Sequence, residues 1–332
     1  MGLRMRKILV TGASGFVGYH VVAALHTAGF AVRCLVRAHS RLDLIDGFGP
    51  ELVPGDVTQP DTLPPAVRDV DAVVHCAGLT RARRPAGFFA VNAEGTRHLC
   101  DACTGMGGRM QQLIMIGSLA ALGPAVGPDA PVTEDDPPHP VGPYGRSKLA
   151  GQQLAASFRD RFPVTILLPP AVYGPGDVDF LTYFRLIKHG VMPSIGRQAR
   201  SLSLLHAEDL ARAVVLCLQN PASRQKDYLL EDGARHTWDE VAATMSRVMD
   251  RNPLTIRLPV GLAWAVAQLG GWWGAVSGRP PVLNSDRMQE FLCPYWVCQG
   301  RRIRDELGFV PQFDLTAGFR QTRDWYVNRG WL

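Results

Sequence analysis

The eight residues TGASGFVG, positions 11–18, lie between a short apolar run, RKILVT at 6–11, and a stretch with helical periodicity through Phe16, Val17, His20, Val21, Ala24 and Leu25. A strand, a glycine turn and a helix in that order constrain the chain strongly, because each glycine has its own task. Gly12 permits the tight turn, Gly15 lets backbone approach a pyrophosphate, and Gly18 permits close packing of helix on strand. The positive end of the helix then faces the phosphates. With Ser14, Phe16 and Val17 completing it, the turn is a candidate dinucleotide site; the bland alternative is a glycine-rich turn with no ligand.

The pattern recurs. Apolar runs at 31–36, 71–76, 112–117 and 164–168 alternate with helix-length segments, which predicts an α/β fold with a parallel, doubly wound sheet. Beyond residue 170 prolines and glycines break the alternation, and a smaller, mostly helical second lobe is expected. The helical segment 207–219 carries an apolar face through Leu210, Ala213, Val214 and Leu218 that suits packing back on the sheet. The expected division is residues 1–169 plus about 202–222 for the cofactor lobe, with about 170–201 and 223–332 for the substrate lobe.

Hydrophobic residues at 46% and charged ones at 20% are the balance of a folded chain. The net charge of +5 comes without a basic run, so a nucleic-acid partner is not expected, and the mild basic balance fits a small anionic ligand just as well. Seven cysteines, several in apolar runs, read as buried free thiols of a reducing compartment, and Cys100-x-x-Cys103 falls in a helical pattern; no metal site is expected. The N-terminus enters a strand without a signal-peptide apolar region, and the simplest reading is a cytoplasmic protein. One segment complicates it: residues 258–278 carry no charge. Pro259, Gln268 and Gly270-Gly271 interrupt that run, while Trp272 and Trp273 suit a pocket or an interface, so pocket helices, a peripheral membrane or lipid-substrate surface, and a true span all stay open.

After the second strand the chain reads CLVRAHSR, with Arg37 and Arg41 and no carboxylate before Asp43. An acid there would grip a ribose 2′-hydroxyl, whereas arginine pairs with a 2′-phosphate. NADP(H) is therefore expected over NAD(H), against the alternative of a solvated arginine. Asp56, followed by Val57, could accept from an adenine amino group or merely cap the next turn. Lysine occurs only at 7, 148, 188 and 226, and Tyr144 precedes Lys148 by four residues on a segment opened by Pro143. On a helix the two stack one turn apart, and an ammonium near a phenol favours the phenolate. Spacing alone leaves a chance pair open.

The order of TGASGFVG, GDVT, VVHCAG, VNAEGT and PYGRSK resembles the extended short-chain dehydrogenase/reductase family over nearly the whole chain. The resemblance implies Tyr144 as catalytic acid-base, Lys148 as the lysine that lowers its pKa and holds the nicotinamide ribose, and Ser118 as the hydroxyl on the substrate oxygen. A strand-end hydroxyl capping a turn is the other reading of Ser118. It further implies that His75, Cys76, Ala77 and Gly78 wall the cofactor, that Asn92 stands near the site, and that LLPPAVYGPGD at 167–177, with Pro170 and Val172, closes over the nicotinamide. Two positions depart from the family pattern: Leu168 stands where arginine is frequent, and Gln152 where an acid is common. Helices of this family often pair in a homodimer, which is expected here.

The combined expectation is an NADP(H)-dependent oxidoreductase interconverting a ketone and a secondary alcohol on a hydrophobic small molecule. Two alternatives stand beside it: an NAD-dependent nucleotide-sugar epimerase or dehydratase using Arg197, Arg200 and Arg279, and a non-catalytic NADP-sensing protein.

Overall fold

The computed structural model describes residues 7–196, 198–265, 267, 268 and 285–332. Its first strands are β1 (Lys7–Thr11), β2 (Ala31–Val36), β3 (Glu51–Pro54), β4 (Ala72–His75), β5 (Gln112–Ile116) and β6 (Val164–Leu168). They are followed by β7 (Ala171–Tyr173), β8 (Val191–Ile195), β9 (Ser201–Leu202), β10 (Leu204–His206) and β11 (Asp227–Leu229). Last come β12 (His236–Thr237), β13 (Leu254–Leu258) and β14 (Tyr295–Trp296). Seven form one parallel sheet in the order β11-β6-β5-β4-β1-β2-β3. The seventh, β11, comes from a segment expected in the smaller lobe.

Every central strand is apolar on both sides, because both faces are covered by helices. Ile8 and Val10 of β1 join one core with α1 (Phe16–Thr27) and α7 (Ala207–Gln219), while Leu9 between them joins the other. On that second face lie α2 (Leu63–Val67) and α4 (Gly95–Thr104), the latter through Leu99, Cys100 and Cys103. Leu210, Ala213, Val214 and Leu218 of α7 all sit in the first core with Ile8 and Val10, against the sheet as the periodicity suggested, and α7 also packs along α1. The strand order reverses between β1 and β4, which opens a crevice at the carboxyl ends of these strands.

A third core, around Tyr173, Phe184, Phe319 and Tyr326, holds α6 (Asp179–Lys188), α8 (Trp238–Val248) and the helix Leu315–Asn328 together. The loop 174–177 ties it to the sheet. Tyr19 Oη and His20 Nε2, both on α1, donate to the carbonyl of Pro175 at 2.9 Å, and Tyr326 Oη donates to that of Asp177 at 2.6 Å. Small strand pairs complete this region: β7 with β10, β8 with β13, and β9 with β12 and β14.

Of the uncharged segment, Leu258 ends β13 and residues 260–265 are helical. Gly270, Gly271, Trp272 and Trp273 lie outside the described residues, as do Arg197 and Arg279. Among the described residues no helix is long and apolar enough to cross a membrane.

Candidate active site

The crevice begins at the glycine turn. Gly12 has φ +69°, a conformation L side chains rarely adopt, and a Cβ there would lie 2.6 Å from the backbone nitrogen of Ala77. A Cβ on Gly18 would lie 2.0 Å from the carbonyl oxygen of Gly12, so only hydrogen lets α1 start this close to β1. Gly15 is the N-cap of α1 and offers no side-chain cap, which leaves the first turn's N–H groups facing the crevice with Ser14, Phe16 and Val17. A pyrophosphate fits this cradle.

Beside it, α5 (Gly142–Ala156) opens with Pro143 in its first turn and comes unusually close to two neighbours. A Cβ on Gly145 would lie 2.5 Å from the carbonyl of Ala120, and one on Gly151 2.0 Å from that of Asn92. These two glycines let the helix carry Tyr144 and Lys148 against the ends of β4 and β5. Lys148 is buried and donates from Nζ to the carbonyl of Ile116 at 2.7 Å; a Cβ on Gly78 would stand 3.8 Å from that nitrogen. Burial lowers the Lys148 pKa to about 8. Tyr144 is half-buried, its ring meeting Phe88 of α3 (Pro85–Phe89) edge-on at 5.9 Å between centroids.

Asn92 sits on a π-helical turn, Ala90–Glu94, a distortion frequent at functional sites. Its amide accepts from Leu79 N at 2.7 Å and donates to Leu79 O at 3.0 Å and to Ser147 Oγ at 2.9 Å. Ser147 Oγ in turn donates to the carbonyl of Tyr144 at 2.7 Å. Ser118 follows β5, half-buried, and its Oγ accepts from Ala120 N at 3.1 Å. Capping a turn, the bland reading of this residue, therefore describes its geometry, and a hydroxyl that accepts there still has its proton to give. Gln152, at the position where an acid is common in the family, approaches the Ser118 carbonyl with Nε2 at 3.5 Å.

Toward the other end, Arg37 is exposed after β2, its N–H bonded to Ser40 Oγ at 2.9 Å, and Arg41 pairs loosely with Asp43 at 3.5 Å. Asp56 follows β3 and uses Oδ1 for the N–H and hydroxyl of Thr58 at 2.9 and 2.8 Å, while Val57 is buried beside it. Cys76 and Ala77 line the step from β4 to Gly78, and Ala77 N donates to Thr11 Oγ1 at 3.3 Å. Pro170 is buried and Val172 half-buried.

Sequence reasoning missed a buried relay of hydrogen bonds behind the cradle. Thr96 Oγ1 donates to the Asn92 carbonyl at 2.8 Å, so it must accept from His75 Nε2 at 3.0 Å, and His75 Nδ1 then accepts from Thr11 Oγ1 at 2.7 Å. Burial, with the Lys148 ammonium nearby, pushes the His75 pKa down to about 3, so the ring is neutral. It locks β1, β4 and the Asn92 turn together. Nothing in the local pattern at Thr11 or Thr96 marks them, since each partner is remote in sequence.

Residues 8–230 match the model of the NAD dependent epimerase/dehydratase family. The chain belongs to that family. It is an NAD(P)-dependent oxidoreductase of the extended short-chain dehydrogenase/reductase superfamily. It is 30% identical to a ceramide reductase of Caulobacter vibrioides, over 98% of this chain and 96% of that one, and 27% identical to a UDP-glucose 4-epimerase of Vibrio cholerae, over 96% and 94%. The fold is that of the Thermus thermophilus UDP-glucose 4-epimerase solved with NAD, with a TM-score of 0.79, 21% identity, and coverage of 98% of this chain and 100% of that one.

Proposed function

We propose that this family member is an NADP(H)-dependent ketoreductase acting on an apolar, lipid-like ketone or its secondary alcohol. The observation that carries this reading is the placement of Lys148 Nζ under Gly78 and on the Ile116 carbonyl, one turn along the helix that presents Tyr144. The cofactor supplies the hydride when bound. Tyr144 gives or takes the proton on the substrate oxygen, Lys148 holds the cation that favours its phenolate, and the Ser118 hydroxyl orients that oxygen. Asn92, through Ser147 and Leu79, fixes both walls. Gly12, Ser14, Gly15, Phe16, Val17, Gly18, Asp56, Val57, Cys76, Ala77, Gly78, Pro170 and Val172 bound the cofactor, and Arg37 with Arg41 meets its 2′-phosphate. The similarity to a ceramide reductase and the uncharged run 258–278 support a lipid-like substrate.

A cytoplasmic homodimer that touches lipid surfaces belongs to the same proposal, with the sheet as the cofactor lobe and the region around Tyr173 and Tyr326 as the substrate lobe. The similarity to a UDP-glucose 4-epimerase favours a second reading, an NAD-retaining enzyme on nucleotide sugars, with Arg200 toward a diphosphate. Purified protein assayed for NADPH oxidation with long-chain 3-oxo lipids and with UDP-sugars separates the two. Turnover of the lipid ketone, lost by at least 100-fold in Tyr144→Phe with NADPH affinity retained, is expected. Tightly held NAD with UDP-sugar turnover would replace the first reading by the second.

A further inference from the structure

The parallel pair β8 and β13 sets Leu254 opposite Val191, Ile256 opposite Pro193 and Leu258 opposite Ile195. Alternate residues of a strand share a face, so these six make one wholly apolar face of a two-stranded ribbon, while Met192, on the other face, is buried in the core around Tyr173. At one end Ile195 packs with Ala263, Ala267 and Met288. At the other, Leu254 is 71% and Ile256 42% exposed. Contiguous apolar exposure of this kind marks an interaction surface.

The charges around it select the partner. Because the ribbon is parallel, both strands are entered at the Leu254 end, where Leu254 N bonds to Gly190 O at 2.9 Å. The segments leading in, 185–190 and 247–253, carry Arg185, Lys188, Arg247 and Arg251 against Asp250 alone. A second copy of the chain would set cations against cations. A bilayer with anionic headgroups instead accepts apolar side chains and neutralises the flanking cations together.

We propose that this face docks the protein on an anionic bilayer, with Leu254 and Ile256 at the acyl boundary and Lys188 and Arg251 at the phosphates. The covered end of the ribbon shares Met288 and Leu292 with the helix Ser285–Leu292, which runs beside α5. Through that helix the covered end of the ribbon connects to α5, which carries Tyr144, and this offers an apolar ketone a route from bilayer to crevice. That route rests on the ketoreductase reading; the docking stands on the ribbon itself.

Flotation of the full chain with vesicles tests it. Vesicles of phosphatidylglycerol mixed with phosphatidylcholine should carry at least tenfold more protein than phosphatidylcholine alone. The double variant Leu254→Asp/Ile256→Asp should lose at least tenfold of that partition, and Lys188→Glu/Arg251→Glu a similar amount, each melting like the parent and turning over a short water-soluble ketone at the parent rate. Equal binding of parent and Leu254→Asp/Ile256→Asp overturns the proposal, as does a parent that stays off anionic vesicles. Light scattering that shows a dimer abolished by the same variant assigns the face to a second copy and also overturns it. Vesicle binding without turnover of any ketone supports the docking and sinks the ketoreductase reading alone.

Discussion

Lys148 Nζ donates to the carbonyl of Ile116 at 2.7 Å, so the ammonium of the site is tethered to the last residue of β5 and buried under Gly78. The tether sets the cation's position before any cofactor arrives, and burial makes the charge costly.

That cost has a pH signature. The folded pKa of about 8 lies below the ordinary lysine value of 10.5, so the folded state releases its proton first as pH rises. Below pH 8 the penalty is full; between about 8 and 10.5 it is relieved. Relative to Lys148→Met, the cofactor-free parent should gain on the order of 3 kcal/mol of stability from pH 7 to 10.5. Denaturant unfolding of both proteins across this range checks it, and a constant difference would refute the assigned burial.

Asp177 gives the opposite slope. It is buried, accepts from Asp179 N and Phe180 N at 2.9 and 2.8 Å, and is pushed by desolvation up to about 7 from 3.8. Between pH 4 and 7 the folded state keeps a proton that the unfolded state has lost, so stability falls as pH rises through this window. Thermal melts of Asp177→Asn should be less favourable than those of the parent at pH 5 and gain on it by a few kcal/mol by pH 8. A gap independent of pH would contradict this.

Gly18→Ala should cost about 3 kcal/mol or more and remove cofactor binding, because its Cβ would meet the Gly12 carbonyl oxygen at 2.0 Å. Gly47→Ala, with nothing within 4 Å, should stay within about 0.5 kcal/mol of the parent. Chemical denaturation and NADPH fluorescence titration distinguish a local clash from general fragility.

Arg37→Ala should weaken NADPH by about 10- to 100-fold, the worth of one or two charge-assisted hydrogen bonds, and leave NADH within about threefold. Equal loss for both cofactors would place Arg37 away from the 2′-phosphate.

Some of this was legible along the chain because its determinants are local. The short apolar runs became β1, β2, β4, β5 and β6, and the face Leu210, Ala213, Val214 and Leu218 packed where its spacing indicated. β11 escaped notice: three residues at a sheet edge carry no periodicity, and only pairing with β6 makes them a strand. The Thr11, His75 and Thr96 relay escaped for a related reason, since its members are fixed by strand register and by a π-helical turn rather than by neighbours in sequence.

By itself the sequence determined the sheet-and-helix plan, the glycine turn and the four-residue spacing of Tyr144 and Lys148, because backbone sterics and helix geometry act over a few residues. Tertiary structure decided the rest. It set the carbonyl of Ile116 against Lys148 across 32 residues and joined Arg81 to Asp179 across 98. It also laid Val191, Pro193 and Ile195 beside Leu254, Ile256 and Leu258. Burial and register are properties of the packed chain, and on them depend the charge of Lys148 and the face presented to lipid.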